Sequence, residues 1–563
     1  MKREELKFLG EVLQNVVSEK AAELTNRSVQ QIHAGGQLDH VLHFVAAGVA
    51  GQATFVSLTT RADEFVVEHD GRPPTPTQLQ SLTVGVPRDG KERHLVLLAL
   101  GLRAASENHS GAVVVEAWSE GVGTRLVLDS SERKVESFSE RPFENDKVRL
   151  RISLREQGRL RQVTKLVTRL SGPLPEIEEV RRRCLFAAPD ILVGGRPINQ
   201  PVEMSSCLVW RSLQPPEGTA APRLRAVSPR HGLCGQKDSG DFSAVLALCA
   251  ETRDLRGLTM VVDGVCHAEP EADLGFSQAC AVVEAPALDI ELGHGGLAHN
   301  SGYVTLLRSL RRELFEMAEE LLAKIDSLPQ ELLLPAARTL DDLARIYQAR
   351  EEDAKLEEVY RAGLAIREKL LKPNNPDLLD CRLRLADFYY QRGREEEAAP
   401  IYDRAIPVLQ GVAENHLGKH RYEEGIAAQH RALELLERIS DPNDPELGRR
   451  YHEFAEVCRE NRSPRAEALY RRAVAIRERR EREDPEALSE SLYGLADIYR
   501  RQKMLSEAEE SARRALKLME EARGESRDLV PFLKLLGQIL EGKGDYGAST
   551  DLMSRAMMLK YKR

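Results

Sequence analysis

From residue 338 to the end of the chain, the apolar and small positions follow a repeating pattern. The string Leu-Ala-x-Φ-Tyr, with Φ apolar, occurs at 343–347, 385–389 and 495–499, with looser copies at 454–458 and 536–540. A second column of small residues follows: Gly363, Ala405, Ala473, Ala515 and Ala556. The first column leads the second by 19 or 20 residues, and the next copy begins 21 or 22 residues later in most cases. Two amphipathic helices of ~12–15 residues, packed antiparallel with the small residue at the crossing, account for that spacing. Gly393, Gly418, Asn461 and Gly542 fall between the two helices of a pair, and proline-containing linkers such as Lys372-Pro-Asn-Asn-Pro-Asp377 separate one pair from the next. An irregular bundle has no reason to repeat at 41–42 residues; a stack of helical hairpins does.

One repeat is short. Val412-Ala413 and Ala432 keep the internal spacing, yet only seven residues separate Ala405 from Val412. About four helical turns are missing there. The spacing predicts a long merged helix, or a break near 410–418, dividing the array into two blocks.

Residues 1–330 mix the two periodicities. Helical spacing over 37–51 is followed by alternating strands at 53–60 and 64–68, an apolar helix at 92–105, and strands at 112–118, 124–128 and 147–153. A charged helix at 176–183 then leads into a strand pair turning on Gly194-Gly195. Later strands are expected at 244–250, 259–265 and 278–283, and a helix at 303–325 closes this half.

The repeat columns resemble tetratricopeptide repeats of the kinesin-light-chain type, over about 225 residues. The linkers at 372–377 and 441–446 are similar to that family's. Its asparagine pairs ahead of Leu-Ala are replaced here by Asp341-Asp342, Leu383-Arg384 and Tyr493-Gly494, so its peptide specificity does not transfer. The resemblance implies a groove lined by the first helix of each pair, in which the residue after Leu-Ala points inward: Arg345, Asp387, Glu456 and Asp497. A mostly acidic row implies a basic or mixed-charge protein or peptide partner.

The N-terminal order of elements resembles the Bergerat fold of the GHKL ATPases. In that family a helical Glu activates water, an Asn four residues on holds Mg²⁺, and an Asp in a downstream Asp-x-Gly-x-Gly accepts from adenine. His43 and Ala47 stand at the first two positions. In the later loop His69 falls at the adenine position unless the register slips by one, which leaves Asp70 and Gly71 as the weak nucleotide-binding candidates; Pro73 replaces the second glycine. The glycine-rich lid is reduced to 85–90. The resemblance therefore implies an ATPase-like frame without its chemistry: no catalytic residue, no metal ligand and no committed cofactor, with ATP and Mg²⁺ as the alternative.

Composition narrows the function further. The chain has 563 residues, 30% of them charged, and a formal net charge of -9, which argues against general nucleic-acid binding. No apolar run reaches the length of a membrane span, and the start lacks a signal-peptide core. The eight cysteines form no Cys-x-x-Cys pair, so reduced core thiols and a cytoplasmic protein are expected. His231 with Cys234 and Cys249, and the glycine-rich loop 293–298, lack the spacing of a metal or dinucleotide site.

The fold expected from sequence is multidomain: a Bergerat-like α/β sandwich at 1–155, a transducer-like α/β domain ending in a long helix at 156–330, and an all-α tetratricopeptide solenoid at 338–563 with its contracted repeat near 405–432. The expected function is a protein–protein interaction scaffold with an inactive ATPase-like head. The alternatives are an ATP-binding chaperone-like switch and a homodimer built through the head.

Overall fold

The computed structural model describes residues 39–60, 64–82, 92–108, 111–129, 133–155, 174–204, 206–218, 223–229, 231–240, 242–250, 257–285, 288–289, 297–442, 444–479 and 483–561. The chain divides into two compact units, 1–349 and 350–563.

In the first unit, helix α1 (Asp39–Ala50) leads into strands β1 (Phe55–Thr60) and β2 (Glu64–His69). Helices α2 (Pro76–Leu82) and α3 (Arg93–Asn108) follow, then β3 (Val113–Ser119), β4 (Val122–Leu128), β5 (Arg133–Phe138) and β6 (Leu150–Arg155). After α4 (Pro175–Arg183) come β7 (Asp190–Val193) and β8 (Arg196–Pro197). These eight strands form one sheet in the order β5-β4-β3-β6-β2-β1-β7-β8, with only β1 and β7 parallel. Val41, Phe44 and Val45 of α1 pack with Leu97, Leu98 and Leu102 of α3 over Val56, Leu58, Val67, Val115 and Ile152 of the sheet. The result is a two-layer α/β sandwich. Gly101 lets α3 approach α1 closely, since a Cβ there would lie 2.5 Å from the Phe44 ring.

The expected division near 156–175 falls mostly outside the described residues. Beyond it, β7 and β8 join the first sheet rather than the second, and α4 packs into that sheet's core through Ile177 and Val180. The lid stretch 85–90, and the loop 293–298 up to residue 296, also lie outside the described residues.

After a short parallel pair, β9 (Val202–Glu203) and β11 (Ala226–Val227), the second sheet is built from β10 (Cys207–Gln214), β12 (Leu233–Asp238), β13 (Ser243–Cys249), β14 (Gly257–Val262), β15 (Val265–Glu269) and β16 (Ala279–Glu284). Its order is β12-β10-β13-β16-β14-β15. The strand expected at 259–265 instead turns at Asp263-Gly264, where both residues have positive φ, so it becomes a hairpin. Helix α5 (Ser301–Ala323), capped by the Asn300 side chain, docks on this sheet through ion pairs from Arg211 and Lys237 to Glu313.

Helix α6 (Gln330–Arg350) carries the first Leu-Ala-x-Φ-Tyr copy, and most of it belongs to the first unit. Its Thr339 donates to Gln278 at 3.1 Å, its Asp342 accepts from the Ser277 amide at 2.7 Å, and Tyr347 donates to Glu319 of α5 at 2.7 Å.

The second unit is all helical: α7 (Asp353–Leu370), α8 (Pro376–Gln391), α9 (Glu395–Gly418), α10 (Tyr422–Ile439), α11 (Pro445–Glu460), α12 (Ala466–Glu478), α13 (Pro485–Arg501), α14 (Leu505–Arg523), α15 (Val530–Gly542) and α16 (Tyr546–Tyr561). Helices α8, α11 and α13 start the same way. Asn375, Asp444 or Asp484 caps the helix with its side chain, and proline takes the first helical position, where its missing N–H costs nothing. The small column is buried throughout, with Ala405, Ala473 and Ala515 fully enclosed.

Each helix-to-helix turn within a pair uses one left-handed residue: Gly393, His420, Arg462, Lys503 and Gly544, with Glu351 between α6 and α7. Three of the glycine and asparagine positions expected to make these turns lie elsewhere. Gly418 and Gly542 end their helices, and Asn461 caps α11 with negative φ.

The contracted repeat is one continuous helix. Helix α9 runs for 24 residues, the second partner of α8 through Ala405 and the first partner of α10 through Ala413, both fully buried. A single core joins α10 to α16, from Ile426 to Leu559, and the buried residues of α7–α9 lie outside it.

Candidate functional site

The row of residues following Leu-Ala does not present bare carboxylates. Arg345, on α6 in the first unit, is exposed and pairs with Asp342. In the second unit, Asp387 on α8 accepts from the Tyr402 hydroxyl of α9 at 2.6 Å and from Arg438 of α10 at 2.7 Å. Arg438 also stacks on the Tyr390 ring, 5.0 Å from its centroid. Thus a guanidinium of α10 fastens α8 and α9 across the contracted repeat.

The pattern repeats one step on. Glu456 of α11 accepts from the Tyr470 hydroxyl of α12 and pairs with Arg459 one turn along its own helix. Burial works against the Glu456 charge, yet bonds from Arg459 and Tyr470 hold its carboxyl below the usual range. Arg459 donates through Nε to Tyr470 at 3.1 Å and places Nη1 3.5 Å from Asp497 of α13. Asp497 is only 5% exposed. It accepts from Arg500 and Arg501, both at 2.7 Å, and these cations outweigh its desolvation and depress its pKa.

The arrangement is a ladder. Glu456 and Arg459 recur 41 residues later as Asp497 and Arg500. Arg459, Arg500 and Arg501 keep more of their surface in water than Asp497 does, whereas Glu456 is more exposed than Arg459. Along α13 this face therefore offers the guanidinium groups of Arg500 and Arg501, next to the Glu456–Arg459 pair of α11. The sequence signal for them was present as an acid followed three residues later by arginine, at 456/459 and 497/500. The reading by the Leu-Ala column alone passed over it. Tyr493, half-buried beside Phe532 at 5.0 Å between centroids, adds an aromatic surface next to the ladder.

In the first unit, Asp70 and Gly71 have other work. The Asp70 carboxylate accepts from the Thr54 amide at 2.7 Å, from the Thr54 hydroxyl, and from the Phe55 amide at 3.3 Å. Those bonds hold its pKa below the usual range against partial burial. Gly71 lies against the end of α1: a Cβ there would meet the Gly48 and Gly51 carbonyls at 3.0 and 3.1 Å. His69 is enclosed, accepts from the Gly71 amide, and is pushed down to about 4 by burial. Ala47 is buried and has no donor atom for a cation. Asp70 is thus committed to closing β1 onto the 69–72 loop, and these residues do not fit Mg-ATP. Among the described residues no group of three or more His, Cys, Asp or Glu is placed to hold a metal, and no helix is long and apolar enough to cross a membrane.

A tetratricopeptide-repeat family profile matches residues 335–411 and 406–479. The two stretches overlap inside α9, the helix shared by two hairpins. No curated protein matches the chain. Among solved structures, the chain is similar to BtubC (BKLC) from P. vanneervenii at 19% identity, covering 44% of this chain and 86% of that one, with a TM-score of 0.23. It is also similar to a Podosopora anserina putative kinesin light chain with nearly identical TPR-like repeats, at 19% identity, covering 41% of this chain and 96% of that one, with a TM-score of 0.22. Tetratricopeptide repeats are thus present in the all-helical C-terminal region, over residues 335–479.

Proposed function

We propose that the protein is an interaction scaffold whose repeat array holds a protein or peptide segment on the face formed by α11 and α13. The observation that carries this reading is the ladder of Glu456, Arg459, Asp497, Arg500 and Arg501. Three guanidinium groups surround two carboxylates, so the face has spare donors and a surplus positive charge. Bidentate arginines of this kind suit carboxylates on an extended segment. The basic or mixed-charge partner expected from the acidic row is narrowed to one carrying Asp or Glu, with an aromatic or apolar residue to lie on Tyr493.

The head, in this reading, is a Bergerat-like sandwich that no longer handles nucleotide. What supports this is the commitment of Asp70 to Thr54 and Phe55, together with Ala47 at the magnesium-ligand position. No observation favours the ATP-driven switch.

The test is a selection from a random peptide library on immobilised full-length protein, counter-screened on an Arg500→Glu, Arg501→Glu variant. Enrichment of acidic peptides that the variant fails to retain is the expected outcome. Retention of the same peptides by the variant would refute the assignment of the ladder.

A further inference from the structure

Five of the six strands of the second sheet carry a cysteine, and two of these thiols meet. The Cys249 thiol of β13 donates to the Cys280 sulfur of β16 at 3.4 Å, and the two residues are 6% and 1% exposed. The register explains the approach. Strands β13 and β16 are antiparallel, with Ala247 opposite Cys280 and Leu248 opposite Ala279. Cys280 therefore stands diagonally across from Cys249, two residues from the position facing it and on the same side of the sheet, where side chains reach one another. Cys207 of β10 faces Cys249 from the other neighbouring strand, but its thiol is directed to the Met204 carbonyl at 3.5 Å. Cys234, on the edge strand β12, lies exposed.

We propose that Cys249 and Cys280 form a reversible redox lock, closing to a disulfide under a peroxide oxidant. The sulfurs must approach by about 1.4 Å, a shift that rotation about the Cα–Cβ bonds supplies. Cys249 is the more exposed of the two, so its sulfur attacks the peroxide: the O–O bond breaks, a sulfenic acid forms and the first water leaves. The Cys280 sulfur then attacks the sulfenic sulfur, the S–S bond forms, and the departing hydroxide takes the thiol proton as the second water. Two thiols give up two electrons, and one peroxide becomes two waters. At rest the pair is quiet. The Cys207 thiol and burial push Cys249 up to about 12, and the Cys249 thiol and burial push Cys280 up as well. Both sulfurs are therefore protonated at neutral pH, and mild oxidants act slowly. What the lock holds follows from the chain it encloses. The two cysteines are 31 residues apart, and between them lies the β14–β15 hairpin, whose first residue, Gly257, pairs with Cys280. The tip of that hairpin joins the second sheet to the sandwich. Asp263 pairs with Arg93 of α3 at 2.7 Å, and Gly264 lies so close to α1 that a Cβ there would meet Val49 at 2.9 Å. A cross-link at the base of the hairpin restricts the opened chain and so favours the docked state.

Graded hydrogen peroxide treatment of the full chain, followed by alkylation in denaturant and peptide mass mapping, tests the proposal. The expected product is a linked Cys249–Cys280 peptide, two hydrogens lighter than its separate halves, that disappears with dithiothreitol. Oxidised protein should melt several degrees higher than reduced protein, and Cys280→Ala should abolish both the link and the rise. The mapping is made on wild type, so it decides the matter even where the variant folds poorly. Oxidation confined to Cys234, with Cys249 and Cys280 both still alkylated, would overturn the proposal. So would a Cys207–Cys249 link in its place, or a linked protein that melts no higher than the reduced one.

Discussion

Arg459 of α11 reaches across to Asp497 of α13, its Nη1 3.5 Å from the carboxylate, while its Nε bonds Tyr470 of α12. One side chain thus ties three helices of two successive repeats. Removing it leaves Glu456 and the Tyr470 hydroxyl short of a partner in a half-buried setting. Arg459→Ala is expected to lower the unfolding free energy by about 2 kcal/mol in a denaturant titration. Arg501→Ala, at a more exposed position, should cost under about 1 kcal/mol. Equal effects from the two would contradict the linking role.

The turn at Lys503 carries the cost of a left-handed backbone, with φ of 64° on a residue that has a Cβ. Gly393 and Gly544 serve the same turn without that strain. Lys503→Gly is expected to raise stability by ~0.5–1 kcal/mol, read as a higher melting temperature. A lower melting temperature would show that the turn is not strained at this position.

Glu284 sits in the second sheet almost without solvent contact, beside Asp263, which is itself held by Arg93 at 2.7 Å. Burial, with the Asp263 charge adding to it, pushes the Glu284 carboxyl up to about 8. The folded chain therefore binds this proton more tightly than the unfolded chain does. Stability falls as pH rises from the ordinary carboxylate range toward 8, by at most ~1.4 kcal/mol per pH unit from this group. Glu284→Gln should flatten that slope when unfolding is followed between pH ~5 and ~9. Unchanged pH dependence in the variant would rule out a buried neutral carboxyl.

His69 acts on the acid side with the opposite sign. Its folded pKa of about 4 lies below the ordinary value of 6.5, so the unfolded chain takes the proton first. Stability contributed by neutral His69 is complete above 6.5 and is lost as pH falls toward 4. A His69→Asn variant should lack this loss, seen as a smaller drop in melting temperature on acidification. An equal drop in both proteins would place the acid sensitivity elsewhere.

Asp70 is expected to be structural. Asp70→Ala removes the acceptor of the Thr54 and Phe55 amides and should destabilise the protein by roughly 1–3 kcal/mol. Excess Mg-ATP should shift the melting temperature of neither wild type nor variant, whereas a real site at high occupancy would add several kcal/mol. A clear ATP shift abolished by Asp70→Ala would reverse this assignment.

The repeat half was legible because its signal is redundant: two residue columns, proline-containing linkers and a fixed period all point the same way. Even the contraction at Ala405–Val412 read correctly as a geometric problem, which α9 solves by serving two hairpins. The turns were read less well, since His420, Arg462 and Lys503 adopt a conformation that composition assigns to glycine. In the N-terminal half, β10 is buried along most of its length and shows no alternation, and β12 is an edge strand with mostly exposed polar residues; neither carries a period to detect. Strands β7 and β8 read as a hairpin, but nothing local says that β7 pairs with β1, more than a hundred residues upstream. The column rule supplies the candidate groove residues Arg345, Asp387, Glu456 and Asp497. The charge of that row changes once the arginines three or four residues along the same helices, and Arg459 reaching Asp497 from the preceding repeat, are counted.

The central claim is that guanidinium groups of α11 and α13 hold an acidic segment of a partner, and the most direct measurement is fluorescence anisotropy with an acidic peptide recovered by selection on the full-length protein. Binding should weaken with added salt, and Arg500→Glu with Arg501→Glu should reduce affinity by roughly a hundredfold or more. Affinity unaffected by those two changes, with the array still folded, would contradict it.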